Sequence, residues 1–440
     1  MKTLKYTAIF LLLLGFSNAY AQLDQALNKK FVFKDYCFDK QIKTIQAFKN
    51  SDELSEPIIE LGSTDVITIM FDDLNKDGRS LYYTIVHCDA DWNEDGVFQN
   101  DYMAGFTQND LRSYEYSINT RIPYFHYTFS VPNNDISLKI SGNYLLKVYD
   151  YNSPDAPLFQ KGFSIVEPKA GISLQYENLT NKGLRQQQQL RFSVSHAGLT
   201  VTDPYRDLKV RVEQNSRRMP GIGNPSPAFI SGSSIDYSQP TKNIYQGSNE
   251  FRSFDTRTLE FAAQGVSLVD LQYDGYHVLL NNAEVRVDKP YLYERDLNGK
   301  YYVDYRAKFD NKHKEADYIQ VYFTLPADEP YHNTTLYVYG QLSDWSIYNS
   351  HAMVYNQQRE AYELTLTLKQ GLYSYMIVAV DGKNTFAAGF IEGNFSETEN
   401  SYSVYVYFRS PQDRWDRLVG VQQINTLTQK AGSFNSIISF

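Results

Sequence analysis

The sequence predicts an all-β protein built as three tandem β-sandwich domains behind a cleaved signal peptide. Three observations carry that expectation. Tyr (37) and Phe (26) are abundant, and aromatic and β-branched residues fit the pleated, half-buried surface of a sheet. They fall in short runs between Gly, Pro, Asn and Asp turn signals, the spacing of a sandwich. Past the first residues, no Leu- or Ala-rich stretch keeps a helical period. A chain of 440 residues also exceeds the ~250–300 that one core supports.

The elements follow in order. Residues 1–5 carry two lysines, 6–16 form an apolar run, and Ala19-Tyr20-Ala21 gives the small-x-small pattern cut by signal peptidase. Gln22 is the expected mature N-terminus. No Cys follows the cut to take a lipid, and no later stretch approaches the ~20 apolar residues of a spanning helix. Residues 22–167 form the N-terminal β-sandwich, with strands near 66–71, 82–86, 125–129, 144–149 and 163–166; the polar turn 72–78 predicts a hairpin between the first two. Residues 168–289 form the middle β domain, with strands near 172–176, 190–194, 208–213, 268–273 and 285–287. Its loop 216–249 is long enough to be either functional or disordered. Residues 290–440 form the C-terminal sandwich, with strands near 301–309, 318–325, 336–339, 362–368, 372–380 and 402–408. Alternation puts Tyr362, Leu364, Leu366 and Leu368 on one buried face. The weakly patterned tail after Leu418 is expected to fray. Strands this short, with long polar connections, do not match the ~10-residue segments of a membrane barrel.

A formal charge of −9 argues against nucleic acid, since phosphate contacts require a surplus of Lys and Arg. Cys37 and Cys88 are the only cysteines. An oxidising compartment permits a bridge between them, the alternative being two buried thiols. Asp73-x-Asn75-x-Asp77-Gly78 and Asp91-x-Asn93-x-Asp95-Gly96 imitate calcium loops, but the twelfth positions are Thr84 and Tyr102 rather than Glu. Both read as Asx-rich turns. The seven histidines are dispersed without metal-ligand spacing, and no nucleophile elbow or phosphate-binding loop is present. No catalytic residue, metal, cofactor or small-molecule substrate is expected.

Trp345, flanked by Tyr339-Gly340 and Gly371-Leu372-Tyr373, makes the last block resemble immunoglobulin-like, early-set modules that bind glycogen or starch. That resemblance implies a sugar site with Trp345 stacking, Phe386 as a displaced second ring and Asn400 as a polar contact. A periplasmic carbohydrate-binding protein is thus the alternative function.

Three further stretches stand out, one per block. They are Tyr83-Thr84-Ile85-Val86-His87-Cys88-Asp89-Ala90-Asp91-Trp92 with Tyr102-Met103-Ala104-Gly105-Phe106; Gly247-Ser248-Asn249-Glu250-Phe251-Arg252-Ser253-Phe254-Asp255; and Ile391-Glu392-Gly393-Asn394-Phe395-Ser396-Glu397-Thr398-Glu399-Asn400 with Arg414-Trp415-Asp416-Arg417-Leu418. In this order and spacing they resemble the plug protein family of the type IX secretion system. The resemblance implies a non-enzymatic protein of the periplasm, peripheral to the outer membrane. It would dock against the periplasmic opening of a large translocon barrel and occlude it.

Overall fold

The computed structural model describes residues 35–179, 186–217, 225–306, 311–383, 385–429 and 431–432. The expected signal peptide and Gln22 lie outside them, as does 218–224 of the long loop. The fold is all-β: among the described residues no helix exceeds four residues, and none is long and apolar enough to cross a membrane.

The first sandwich uses β1 (Ile42–Lys49), β2 (Ile67–Asp73), β3 (Leu81–Cys88), β4 (Phe125–Val131), β5 (Gly142–Asp150) and β6 (Pro157–Val166). One sheet runs β1-β2-β4 and ends in the short strand Tyr114–Tyr116. The other runs from Tyr36–Cys37 through β6, β5 and β3 to Asn109–Leu111. Phe71, Tyr127, Tyr144, Phe159 and Phe163 fill the core between them, with the Phe71 and Tyr127 rings stacked at 4.7 Å. The expected β2–β3 hairpin does not form. β2 pairs with β4 from Ile67↔Val131 to Asp73↔Phe125, and β3 pairs with β5. The turn between β2 and β3 crosses from one sheet to the other, so both strands present apolar faces to one core from opposite sides.

The remaining long strands are β7 (Gly171–Asn178), β8 (Gln187–Ser195), β9 (Leu208–Gln214), β10 (Arg252–Asp255), β11 (Val266–Gln272), β12 (Gly275–Leu280), β13 (Tyr318–Pro326), β14 (Thr334–Tyr339), β15 (Ala361–Lys369), β16 (Gly371–Asp381), β17 (Ser401–Phe408) and β18 (Arg417–Asn425). β9 pairs with β17 along its whole length, from Leu208↔Phe408 to Gln214↔Tyr402, and β17 pairs with β18. This sheet packs on the one formed by β7, β8 and the short strands Phe229–Ser231, Ser234–Asp236 and Ile244–Gln246. Leu190, Phe192, Val194, Val212, Tyr402 and Val406 share that second core. Pairing therefore crosses the position 289/290 at which the sequence suggested a boundary. The first part of the tail expected to fray is instead β18, with Leu418, Val419 and Ile424 buried, while 433–440 lie outside the described residues. Part of the long loop also belongs to this core, through Ile235, Tyr237 and Tyr245.

The third core lies between β10, Tyr301–Val303, β14 and β16 on one side and β11-β12-β13-β15 on the other. Residues 285–287 are not a strand, and the strand expected at 301–309 stops at Val303. β16 is buried on both faces. Tyr373, Tyr375, Ile377 and Ala379 point into the third core, while Met376, Val378 and Val380 meet Phe251 and Ile347 on the other side. A strand flanked by neighbours and covered twice loses its polar alternation.

Candidate functional site

Many of the residues that drew attention in the sequence collect where the sandwiches meet. Between the first and second, the Asp91 carboxylate takes a forked pair from Arg211, Nη2 to Oδ2 at 2.9 Å and Nε to Oδ1 at 3.1 Å. Asp89 shapes the same loop, its Oδ1 accepting the main-chain N–H of Asp91 and Asn93. The Ala90 N–H donates to Asp416 Oδ2 at 2.9 Å, and that carboxylate also accepts Lys209 and Arg409. Burial alone would push Asp416 up, but these donors outweigh it and hold the carboxyl below the usual range. Glu167 and Arg417 add an ion pair. Ile58, Ala90 and Val166 pack on Tyr405, Tyr407 and Leu418 beneath.

Between the second and third sandwiches, the strap 247–252 lies against 391–400. Gly247 is needed by close approach, since a Cβ there would meet Phe395 O at 1.9 Å. The Ser248 N–H donates to Asn394 Oδ1, and the Phe395 N–H donates to Ser248 O. Asn249 Nδ2 donates to Glu392 O at 2.7 Å. Gly393, at φ +77°, ends the short turn that presents Glu392.

Glu392 is fully buried and receives Arg252 (3.0 and 2.9 Å), Arg286 Nε (2.7 Å) and the Ile377 N–H (2.8 Å). Burial raises its carboxyl, but the two guanidinium groups outweigh burial and the net direction is down. Among the described residues, no guanidinium hydrogen-bonds the carboxylate of nearby Glu250. It accepts the Tyr291 hydroxyl and the Glu399 N–H, and burial pushes it up to about 7. Glu399 in turn accepts Asn425 Nδ2 at 2.6 Å. Asp255 is forked by Arg257. Glu397 lies at the exposed rim.

Asn400 closes this joint from within, donating to Gln188 Oε1 and Gly247 O and accepting Asn215 Nδ2. Arg217 sits beside it, 3% exposed, with its guanidinium 5.3 Å from the Phe251 ring, 5.6 Å from Tyr339 and 5.2 Å from Trp345. The aromatic faces supply negative potential in place of a carboxylate.

A third joint ties the first sandwich to the third. Asp72 Oδ2 accepts Lys369 Nζ and the Tyr318 hydroxyl, both at 2.6 Å, while Oδ1 meets His126 Nδ1 at 2.7 Å. Burial disfavours the charge on both Asp72 and Lys369. Lys369 and His126 overcome burial for Asp72, whose carboxyl is held down.

Compared with known families, residues 42–167 match the Type 9 secretion system plug protein 1st domain. The chain belongs to the type IX secretion system plug family. A solved structure of a hypothetical protein from Parabacteroides merdae ATCC 43184 is 32% identical, with a TM-score of 0.85 over 90% of this chain and 99% of that one. No curated protein matches.

In this plug-family chain, the Cys37–Cys88 bridge that the sequence left open is not formed, and both thiols are free, as in the alternative reading. Cys37 opposes Phe159, Phe159 opposes Val148, and Val148 opposes Tyr83. Cys88 is thus three strands away and five residues further along, roughly 20 Å from Cys37 by strand spacing, against the ~7 Å that a disulfide allows. Burial pushes the Cys88 thiol up to about 12; it packs with Trp92 and Leu145 as a small apolar group. His87 is equally internal, its Nδ1 on Asp95 at 2.7 Å.

The sugar site also fails. The Trp345 ring is packed by Phe251, Tyr339 and Arg217, Phe386 packs on Tyr339, and the Asn400 amide is committed inside the joint. No stacking platform with a free polar contact results. The calcium-like turns direct their acids elsewhere, Asp73 to Arg79 and Asp91 to Arg211.

Sequence reasoning missed Arg211, Arg286, Gln188, Asp72 and Lys369. Each is an ordinary polar residue in its local stretch, and only its long-range partner gives it a role.

Proposed function

We propose that the protein is a non-enzymatic periplasmic subunit of type IX export that closes the periplasmic opening of an outer-membrane translocon barrel when no cargo passes. The observation that carries this reading is the plug-family match over the first sandwich. The joints support it physically. Sealing a wide opening calls for a body that keeps its shape under load, and most of the marked residues cross-brace three sandwiches; of them Asn249 and Arg252 also line an open cleft. We take the working modules to be 42–167, then 171–246 together with 401–432, and 252–392.

Affinity purification of the full chain from cells in mild detergent tests the proposal. A large outer-membrane barrel should copurify, and deletion of the gene should leave the outer membrane permeable to small solutes. Absence of any barrel, with an intact permeability barrier after deletion, refutes the proposal.

A further inference from the structure

β11 is an edge strand, with β12 on one side and, among the described residues, no strand on the other. It is joined to β12 through the two-residue loop Tyr273-Asp274, with Gln272 opposite Gly275. In such a hairpin the residues flanking the loop form a hydrogen-bonded pair, and pairs then alternate. Asp270 and Leu268 therefore bond inward to His277 and Leu279, while the main-chain N–H and C=O of Val269 and Leu271 face away from the sheet. No main-chain group among the described residues takes them up.

The other edges are treated differently. β1 and β9 are buried along most of their length by neighbouring sandwiches, and Tyr36–Cys37, Asn109–Leu111, Tyr114–Tyr116, Phe229–Ser231 and Val354–Asn356 are only two or three residues long. β7 is longer, but the side chains it fully exposes are polar, Ser173 and Gln175.

β11 has seven residues and exposes Leu268 (49%) and Leu271 (50%) on opposite faces, with Tyr273 fully exposed at the tip. It carries no Lys, Arg or Pro, the residues that usually guard an edge. Its charges are acidic: Asp270 at mid-strand and Asp274 in the loop. An open main-chain ladder specifies the shape of what covers it, which is an extended chain. The acids specify the sign.

We propose that β11 is the site at which the translocon partner adds a strand, an extended segment with apolar residues at alternate positions and a Lys or Arg opposite Asp270. The proposal rests on the plug reading above and assigns its contact to one edge. Strand addition combines main-chain hydrogen bonds with side-chain pockets on alternate residues, so a proline facing the ladder should disrupt it more than the loss of an apolar side chain.

The test uses the full chain in intact cells. Benzoylphenylalanine is placed at Leu271 and, as controls on the other two sandwiches, at Tyr151 and Tyr205, and captured proteins are identified by mass spectrometry. In parallel, Leu271→Pro and Leu271→Thr are scored for copurified barrel. The proposal expects capture of an outer-membrane barrel from position 271, about a tenfold drop in copurified barrel for Leu271→Pro, and less than about threefold for Leu271→Thr. Capture only from Tyr151 or Tyr205 overturns the edge assignment and leaves the plug reading standing. Capture of a barrel from no position overturns both. If Leu271→Pro lowers the melting temperature, capture from position 271 decides alone.

Discussion

The joint around Glu392 and the edge at β11 belong to the same sandwich yet treat polar groups in opposite ways. At the joint, a fully buried carboxylate gathers two guanidinium groups and a main-chain N–H from segments far apart in the chain. At β11, main-chain donors and acceptors are left facing out beside exposed leucines. The difference teaches where recognition chemistry sits in a protein of this kind. Many residues conspicuous in the sequence are internal braces that give the body its shape. The surface proposed for a partner is written in plain strand residues.

Breaking the brace should have the largest effect. Glu392→Leu leaves Arg252 and Arg286 buried without an acid, a change that typically costs about 3–5 kcal/mol. Urea unfolding should show that loss, whereas Leu271→Thr at the edge should change stability by less than about 1 kcal/mol. If Glu392→Leu were no more costly than Leu271→Thr, the contrast between joint and edge would fail.

Asp72→Asn comes next, at about 2–4 kcal/mol, because Lys369 would keep only hydrogen bonds in a buried site. It also sharpens the electrostatic account. The Asp72 carboxyl is held below its ordinary value, so its contribution is present above about pH 4 and is lost as pH falls through the lowered value. Acid titration of stability should be flatter in Asp72→Asn than in the wild-type protein.

The smallest of the three is Glu250→Gln, with the opposite sign. The Glu250 carboxyl is raised to about 7, so its contribution is complete below the ordinary carboxyl value and is lost as pH rises through 7. Wild-type stability should therefore decline across that window through this group. Glu250→Gln should remove the decline and gain about 1–3 kcal/mol near pH 8. An unchanged pH profile would contradict the raised Glu250 carboxyl.

How much was legible follows from which interactions are local. Strands such as β3, β5 and β15 show in their β-branched and aromatic runs, and the all-β class follows from them. Pairing does not, because β2 and β3 look like a hairpin until β4 and β5 compete for them. β18 was hidden by its polar interior: Gln423 and Asn425 are buried, breaking the apolar alternation. The stretches around Asp91, Glu250, Glu392 and Asn400 stood out as family marks. Their role needed partners such as Arg286, 106 residues from Glu392, a distance that no local pattern encodes. The edge at β11 was located as a strand near 268–273, but its openness is a property of the sheet around it.

The central claim is that three sandwiches are braced into one body. Double electron–electron resonance between spin labels at Tyr151→Cys in the first sandwich and Val354→Cys in the third, with Cys37 and Cys88 replaced by Ser, measures it directly. The account predicts one narrow distance distribution in this background that broadens when Asp72→Asn and Glu392→Leu are combined in a protein that still folds. A broad or multiple distribution without those two substitutions would contradict it.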